Sequence, residues 1–314
     1  MVGSFRSTSI AFGSANLLNA GAGSADMFVT KLTDAGTTSS FAWAQRAGSF
    51  TDEYSVAVAA RGSNVYVLGG FNGSAVNFGS TSLSVAGGTD MYLAKLTDTG
   101  NQGAFIWAQC GGGPDDEKPA TLAIDGPNLY IAGTFSGAGA SYGNSTLSST
   151  GLYDVVVAHA VDAGSTGGFV WGQSAGGAAA DYAGGVAVGG GSVYVGGSVT
   201  PSAAFGRFKI YATAIPSAYL ASFTTTVLAT APSASVTNFQ VFPNPAHASA
   251  TVNLPAAGKL RAETSLLLID EVGRAVRALP IPLGATSLDL PLGGLAPGVY
   301  TVRIGTGSRL LVVE

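Results

Sequence analysis

The densest cluster of residues that could do chemistry is acidic and lies in a glycine-rich turn. Asp115, Asp116 and Glu117 follow three glycines and a proline at positions 111–114. Carboxylate oxygens on a flexible loop suit a calcium ion, although this spacing matches no EF-hand loop. Asp115 and Glu117 are also the only loose candidates for a pair of catalytic carboxyls. We interpret the cluster as a solvated loop, with a calcium site as the alternative.

Other nucleophiles and metal ligands are few. The chain has one cysteine, Cys110, and two histidines, His159 and His247. A single cysteine excludes an internal disulfide and a multi-cysteine zinc or iron–sulfur site. We expect Cys110 to be a small buried residue, His159 an exposed strand residue and His247 a loop residue. Gly-x-Ser-x-Gly occurs at 139–143 and at 172–176, but without the predicted helix that follows a nucleophile elbow, and no phosphate-loop lysine occurs. The sequence therefore predicts no catalytic residues, no cofactor and no metal site.

The remaining aspartates of interest recur at a fixed spacing, which favours structural roles. One set stands two residues before a glycine, as in turns where the carboxylate accepts a hydrogen bond from its own backbone. A second set opens a strand-like run, and its repetition favours a structural hydrogen bond over catalysis. The first set is Asp34, Asp98 and Asp162, and the second is Asp26, Asp90 and Asp154. The acidic cluster has equivalents at the same spacing in Asp52, Glu53 and Asp181.

Composition limits the class of protein that positions these residues. Of 314 residues, 46 are glycine and only 10% are charged, which disfavours long charged helices and coiled coils. The net charge of -4 argues against nucleic-acid binding. No run approaches the ~18 consecutive apolar residues of a membrane span. Residues 1–6 do not start a secretory signal peptide.

The chain repeats itself every 64 residues. A Phe-x-Trp motif recurs with all three tryptophans, and a tyrosine in an apolar triplet recurs at the same spacing. The run that begins Asp26-Met27 returns at positions 90 and 154, with a weaker copy at 218–221 that lacks the aspartate. The repeated aromatic residues that we expect to form the core are Trp43, Trp107, Trp171, Tyr66, Tyr130 and Tyr194.

Each repeat is predicted to be a set of short strands bounded by Gly, Ser, Asn and Asp, and two of these strands are Asn64–Phe71 and Ala75–Val85. Val65–Leu68 and Met91–Ala94 are apolar at successive positions, which indicates strands buried on both faces. Tandem sheets covered on both faces are typical of β-propeller blades, with aromatic residues between the blades. We therefore predict an all-β chain with a partial β-propeller of about three and a half repeats of 64 residues. A row of separate β-sandwich modules is the alternative.

The repeats resemble the β-propeller repeat of bacterial secreted proteins that is often called SBBP. The matching motifs lie at 64–71, 78–79 and 90–96, and the resemblance covers about residues 1–224. Met1–Phe5 aligns with Val67–Phe71, so the chain starts inside a unit. We therefore expect a truncated form of a longer protein, whose missing part would supply further blades and a signal peptide. The predicted repeat region is 1–223, with a partial unit at 1–35 and units at about 41–98, 105–162 and 169–223.

The rest of the chain departs from the repeat. Residues 224–237 are predicted to be a linker, and 238–314 read as about seven strands, which suits a small immunoglobulin-like β-sandwich. The motif residues of this segment are Pro243, Asn244, Pro245, Asp270, Gly273, Arg274, Gly298 and Tyr300. In these residues the segment resembles the type A C-terminal sorting domain of type IX secretion.

The two resemblances imply a function that the chemistry-bearing residues do not specify. A sorting domain implies the type IX secretion machinery as a partner, export across the outer membrane, and a secreted or outer-surface location. We expect a non-enzymatic scaffold that binds a glycan or a protein ligand. The alternatives are an extracellular carbohydrate- or peptide-directed hydrolase on a propeller scaffold, and a structural adhesin-like matrix component.

Overall fold

The computed structural model describes residues 1–21, 23–73, 75–211, 215–224, 239–254, 265–270, 275–282, 284–304 and 307–314. These residues form strands, turns and irregular segments without a helix. None of them therefore lies in a helix long and apolar enough to cross a membrane. The all-β class that the sequence predicts is confirmed. The chain divides into two compact units, residues 1–225 and 226–314.

The first unit is built from four sheets, each of which carries an inserted hairpin. Its strands are β1 (Val2–Phe5), β2 (Ser9–Phe12), β3 (Ala15–Leu18), β4 (Asp26–Asp34), β5 (Ser39–Ala47), β6 (Glu53–Arg61), β7 (Asn64–Phe71), β8 (Val76–Phe78), β9 (Thr81–Leu83), β10 (Asp90–Asp98), β11 (Gly103–Gly111), β12 (Glu117–Asp125), β13 (Asn128–Phe135), β14 (Ala138–Tyr142), β15 (Ser145–Ser148), β16 (Asp154–Asp162), β17 (Gly167–Ala175), β18 (Tyr182–Gly189), β19 (Ser192–Val199), β20 (Ser202–Phe205), β21 (Phe208–Tyr211) and β22 (Ser217–Thr224).

The strand order is the same in every sheet. The first sheet is β1-β4-β5, the second β6-β7-β10-β11, the third β12-β13-β16-β17 and the fourth β18-β19-β22. The hairpins β2–β3, β8–β9, β14–β15 and β20–β21 form separate two-stranded sheets. All pairs within the sheets are antiparallel, so each sheet is a meander interrupted once by its hairpin.

The register of the strands follows the sequence repeat, with one shift. Phe71 pairs with Asp90, and β1 pairs with β4 in the same register, so β1 is the equivalent of β7. In the fourth sheet Val199 pairs with Ser217 rather than with Ala218. The sequence alignment of Ala218 with Asp90 was therefore wrong by one residue, because the connection between β19 and β22 is one residue shorter. Ser217 occupies the aspartate position.

Three hydrophobic cores lie between successive sheets. One joins the first and second sheets, one the second and third, and one the third and fourth. Strands β7, β10, β13 and β16 are buried along nearly their whole length, as expected for strands covered on both faces. Strand β22 instead alternates between more buried and exposed residues. Removal of these two-sided sheets from water is the main force that stacks them.

The burial of the repeated aromatic residues also decreases towards the fourth sheet. Among the tryptophans, Trp43 and Trp107 are buried, and Trp171 is half-buried against the last core. Among the tyrosines, Tyr66 and Tyr130 are buried, whereas Tyr194 is 42% exposed. Tyr194 therefore departs from the expectation of a core residue. It lies on the face of the fourth sheet opposite Val193 and Val195, which no described strand covers.

The second unit is a pair of packed sheets. Its strands are β23 (Gln240–Phe242), β24 (Ser249–Asn253), β25 (Ser265–Ile269), β26 (Ala275–Pro280), β27 (Ser287–Pro291), β28 (Gly298–Ile304) and β29 (Gly307–Val313). The sheet orders are β23-β24-β27 and β26-β25-β28-β29. Val252 from one sheet and Leu268 and Val302 from the other share a single core.

Candidate functional site

A cluster of lysine, aspartate and tryptophan joins the second sheet to the third. Lys95 and Trp107 are direct partners on β10 and β11, so their side chains share one face of the sheet. Lys95 Nζ donates to both carboxylate oxygens of Asp162, at 2.9 and 2.7 Å, and Trp107 Nε1 donates to Oδ1 at 3.3 Å. Tyr66 Oη donates to Asp162 Oδ2 at 2.6 Å. The side chains of Lys95 and Asp162 are only 5% and 6% exposed.

The equivalent cluster joins the first sheet to the second. Lys31 Nζ donates to Asp98 Oδ2 at 2.7 Å, and Trp43 Nε1 donates to Oδ1 at 3.0 Å. The side chains of Lys31 and Asp98 are 33% and 18% exposed, so this copy reaches solvent. The geometry of the ion pair is thus repeated while its surroundings differ.

Both aspartates are held in their charged form. The hydrogen bond from Lys31 keeps the pKa of Asp98 below its ordinary value. Burial alone would raise the pKa of Asp162, but the hydrogen bonds from Lys95 and Tyr66 outweigh it and the pKa is lowered. The turn expected at each of these aspartates is confirmed, since Oδ1 of Asp34, Asp98 and Asp162 accepts the N–H of Gly36, Gly100 and Gly164 respectively.

The third interface replaces this cluster with an aromatic stack. His159 stands at the lysine position and is 7% exposed, so the expectation of an exposed histidine was wrong. Its ring stacks on Tyr130 with centroids 5.1 Å apart, and its Nε2 lies 3.0 Å from Asn128 Oδ1. Burial by the fourth sheet lowers the pKa of His159. A neutral imidazole takes the place of the lysine because the aspartate partner is absent from the sequence here.

A second set of polar residues places two acids between the second and third sheets. Asp90 opens β10 and Glu117 opens β12, and both are fully buried. Asp90 Oδ2 accepts the N–H of Ala86 at 2.8 Å and the S–H of Cys110 at 3.2 Å. Glu117 Oε2 accepts the N–H of Gly113 at 3.1 Å. The solvated loop predicted for this cluster was therefore wrong for Glu117.

The other two acids of that cluster differ in their exposure. Asp115 is exposed, as the sequence predicted, whereas Asp116 is half-buried. Only the third acid turns inward, because β12 begins there and its first residue lies beneath the adjoining sheet. Cys110 is half-buried, and burial together with the neighbouring Asp90 raises the pKa of its thiol.

Glu117 and Asp90 form a carboxyl pair. Burial, and then the neighbouring Asp90, raise the pKa of Glu117 to about 9. Asp90 Oδ1 and Glu117 Oε1 are buried and have no hydrogen-bond partner among the described residues. Because ionised Glu117 would be buried beside a second carboxyl, Glu117 keeps its proton at neutral pH.

The other two interfaces carry variants of this pair. Between the first and second sheets Asp26 and Glu53 are buried, and Arg46 Nη1 donates to Asp26 Oδ2 at 2.9 Å. Burial raises the pKa of Asp26 and that of Glu53. Between the third and fourth sheets the pair is Asp154 and Asp181, and burial raises the pKa of Asp181.

A repeated glycine makes room for each pair. A Cβ atom at Gly112 would lie 2.5 Å from Glu117 Oε2 and 2.6 Å from Asp90 Oδ1, closer than van der Waals contact permits. Cβ atoms at Gly48 and Gly176 would collide in the same way with Asp26 and Asp154. These glycines recur every 64 residues, as the acids do. This shared spacing is the sequence signal that could have revealed the pairs.

These acids have little access to a substrate. Cavities of about 630, 260 and 340 Å³ occur elsewhere in the described residues, and neither Asp90 nor Glu117 lines one of them. Within the described ranges, no group of three or more His, Cys, Asp and Glu is placed to hold a metal ion. The chemistry available to the carboxyl pair is the retention of a proton between two sheets.

In the second unit, the exposed corner of Pro243, Asn244 and Pro245 is tied to the last strand. Asn244 Nδ2 donates to the carbonyl of Leu310 at 2.9 Å, and the N–H of Val312 donates to Asn244 Oδ1 at 2.8 Å. The side chain of Asn244 thus replaces a backbone partner at the edge of β29. This gives a physical reason for an asparagine between the two prolines.

The other predicted motif residues of this unit lie apart from that corner. Tyr300 is buried, and its hydroxyl donates to the carbonyl of Ala296 at 2.8 Å. Gly298 opens β28, and Asp270 is half-buried just after β25. Gly273, Arg274 and residues 225–237 of the predicted linker lie outside the described residues. His247 is exposed in the loop that precedes β24, as expected.

Comparison with known proteins identifies one part of the chain. Residues 240–313 match the secretion system C-terminal sorting domain family. No curated protein matches the chain. Among solved structures, PorZ of Porphyromonas gingivalis, an essential surface component of its type IX secretion system, is 12% identical over 93% of this chain and 35% of PorZ, with a TM-score of 0.28. Dimeric latent PorU of the same organism is 10% identical over 99% of this chain and 29% of PorU, with a TM-score of 0.20.

These comparisons are informative for the second unit and not for the first. The chain spans about a third of the length of the two solved structures, and TM-scores this low do not establish a common fold. The sorting-domain match is specific to the second unit. It indicates a protein that is exported by type IX secretion to the cell surface or beyond, and that engages this machinery through residues 240–313.

Proposed function

We propose that the chain is a non-enzymatic binding scaffold, secreted or held at the cell surface, whose repeat unit belongs to a β-propeller of the SBBP type. The observation that carries this proposal is the series of three cores between four sheets, in step with the 64-residue repeat and followed by a sorting domain. Antiparallel sheets of four strands, covered on both faces by their neighbours, are the arrangement of propeller blades.

The position of the acids supports a non-enzymatic role. The hydrolase alternative needs two carboxyls that converge on an open cleft. Of the two candidates, Asp115 is exposed and Glu117 is buried beside Asp90. The buried acids recur at all three interfaces, which is typical of a structural device rather than of one active site.

A cavity at the rim of the first two sheets supports a binding role. Its volume is about 630 Å³, and Arg46, Phe50 and Asn77 are among the residues that line it. Phe50 is 87% exposed. An exposed ring beside amide and guanidinium donors suits a glycan, which offers an apolar face and hydroxyl groups. The equivalent positions in the next repeat hold Cys110, Pro114 and Ser141, so this set does not belong to the repeat.

Export is tested in a bacterium that has type IX secretion. The full chain, given a signal peptide for the inner membrane, is expressed in the competent strain and in a matched strain that lacks the outer-membrane pore. We expect the protein on the surface or in the medium only in the competent strain, and in neither strain when residues 226–314 are removed. Retention of the full chain by both strains would contradict the export assignment.

The binding role is tested with the purified full chain on a glycan array and against glycan and peptide hydrolase substrates. We expect capture of a glycan class without turnover, and loss of that capture in Phe50→Ala. The matched control is Phe208→Ala, which removes another exposed phenylalanine at a distant site. Turnover that Asp115→Ala abolishes would overturn the proposal in favour of a hydrolase.

A further inference from the structure

The fourth sheet has three described strands where the second and third have four. Among the described strands, β22 pairs with β19 alone, whereas its equivalents β10 and β16 also pair with β11 and β17. Strands β5, β11 and β17 carry the repeated Phe-x-Trp motif. Residues 225–238, which follow β22, contain no aromatic residue and so cannot supply that motif. Among the described residues, the edge of β22 therefore has no aromatic neighbour of the kind that the other three sheets have.

The phenylalanine of each Phe-x-Trp strand packs against an aromatic ring on the hairpin of its own sheet. Phe41 packs on Phe12 with ring centroids 5.2 Å apart and an interplanar angle of 72°. The pair of Phe105 and Phe78 gives 5.6 Å and 84°, and the pair of Phe169 and Tyr142 gives 5.4 Å and 80°. Edge-to-face contact of this kind is the preferred geometry of aromatic pairs.

The hairpin of the fourth sheet has an equivalent aromatic ring, that of Phe205. Phe205 packs on Tyr219 with centroids 4.7 Å apart at 48°, as Phe78 packs on Tyr92 at 4.7 Å and 48°. No edge-to-face partner for Phe205 occurs among the described residues. In its place is a groove of about 260 Å³ between β17, the hairpin and β22, lined by Val155, Val195, Phe205 and Phe223 among others.

We infer that this groove and the edge of β22 form a binding site for an extended polypeptide strand, one aromatic residue of which packs on Phe205. The backbone of the strand pairs with β22, as in the addition of a strand to an exposed sheet edge. Its aromatic residue takes the place that Phe41, Phe105 and Phe169 take in the other sheets. This inference goes beyond the proposed function, because it holds for any partner that supplies such a strand.

The partner is defined by the internal precedents. In β11 a bulge between Phe105 and Trp107 turns the two rings to opposite faces, so that Phe105 contacts the preceding core and Trp107 the following one. A bound strand therefore places its first aromatic residue in the groove. The aromatic residue two positions later lies on the outer face, beside Tyr194 and Leu220, which are 42% and 76% exposed.

The probe that tests this inference is a fluorescent nine-residue peptide with the sequence of β17, Gly167–Ala175. It is titrated into the full chain and followed by anisotropy, with a scrambled peptide of the same composition as the control. We expect saturable binding of the β17 peptide and none of the scrambled one. Alanine in place of the peptide's phenylalanine weakens binding by about tenfold, and alanine in place of its tryptophan by about threefold or less.

Variants of the chain locate the site. Phe205→Ala removes the aromatic contact and weakens binding by about tenfold, while Leu18→Ala, at an exposed apolar residue of β3, leaves it unchanged. Amide hydrogen exchange shows new protection in β22 on binding. The peptide variants keep the test independent of any loss of folding in Phe205→Ala.

Three results would overturn the inference. They are equal binding of the scrambled peptide, binding that is indifferent to the peptide's phenylalanine, and protection that arises outside β22. Self-association of the chain that Phe205→Ala abolishes, without peptide binding, would assign the groove to a second copy instead.

Discussion

The interface between the first and second sheets and the interface between the second and third are built from the same parts. Each has a lysine and a tryptophan that hold an aspartate of the following sheet, at the same lysine–aspartate distance of 2.7 Å. Each has a buried pair of acids beside a glycine. The interfaces differ in what surrounds these parts, because the second and third sheets are covered on both faces and the first sheet has no described sheet before it.

That difference changes the energetics of identical contacts. The ion pair of Lys31 and Asp98 is partly solvated, whereas that of Lys95 and Asp162 is almost dry. At the first interface Arg46 donates a charged hydrogen bond to Asp26. At the second interface Cys110 offers Asp90 only a weak thiol donor. Two copies of one motif can therefore make very different contributions to stability.

The largest expected effect is on the pH dependence of stability. The folded chain holds the proton of Glu117 more tightly than the unfolded chain does, since the pKa is raised from 4.5 to about 9. The folded state therefore binds more protons, and the free energy of unfolding falls as the pH rises through this range, by at most about 1.4 kcal/mol per pH unit. Glu117→Gln, which resembles the protonated acid, removes this slope and stabilises the chain at pH 9.

The matched variant is Glu53→Gln at the first interface. The pKa of Glu53 is also raised by burial, so its effect has the same sign, and we expect it to be smaller because Arg46 compensates the neighbouring Asp26. The measurement is urea unfolding between pH 5 and 9, followed by tryptophan fluorescence, since all tryptophans of the chain lie in the first unit. An unchanged slope in Glu117→Gln would show that the carboxyl pair does not hold the proton.

The second-largest effect is the loss of stability expected when each of the two ion pairs is removed. Asp162→Ala leaves the buried Lys95 without a counter-charge and removes the acceptor of Tyr66 and Trp107, which costs about 3–5 kcal/mol. Asp98→Ala exposes Lys31 to water that can solvate it, and costs about 1 kcal/mol. Urea unfolding at neutral pH compares them. Equal losses would mean that burial does not separate the two copies.

Much of the first unit's fold could be predicted from its sequence. The bounds predicted for Asn64–Phe71 are those of β7, because an apolar run between turn residues specifies a strand buried on both faces. The segment predicted as one strand from Ala75 to Val85 is instead the hairpin β8–β9. Its turn contains Gly79 in a left-handed conformation, with φ of 63°.

The buried acids could not be predicted in the same way. Acids are rarely fully buried, so a cluster after three glycines indicates a solvated loop. Glu117 becomes buried because a separate sheet brings Asp90 against it and the backbone of Gly113 satisfies one of its oxygens. The ion pair of Lys95 with Asp162 joins residues 67 positions apart. Such contacts depend on the packing of two sheets, and no local pattern of one strand encodes them.

A third prediction concerns the glycine that makes room for the acids. In Gly48→Ala the new methyl group collides with the carboxylate of Asp26, and we expect a loss of about 1–3 kcal/mol in the free energy of unfolding. The matched control is Gly185→Ala in β18, where a Cβ would meet nothing within 4 Å and stability stays within about 0.5 kcal/mol. A neutral Gly48→Ala would mean that the Asp26 side chain can be displaced without cost.

The smallest effect is expected for equivalent tyrosines of the second and fourth sheets. Tyr66→Phe deletes the hydroxyl that donates to Asp162 and leaves the ring in place, so it costs about 1–2 kcal/mol, the value of a hydrogen bond to a charged acceptor. Tyr194→Phe removes a hydroxyl that is free to exchange with water on an exposed face, and changes stability by less than about 0.5 kcal/mol. Burial of Tyr66, followed by its hydrogen bond to Asp162 and the charge of that carboxylate, raises the pKa of Tyr66. The loss in Tyr66→Phe should therefore vanish in the Asp162→Ala background, because the hydroxyl then has no charge to bind, and a double-mutant cycle of these two residues measures the coupling directly. Additive losses would place the contribution of Tyr66 in its ring alone and would remove the hydroxyl from the cluster that joins the second and third sheets.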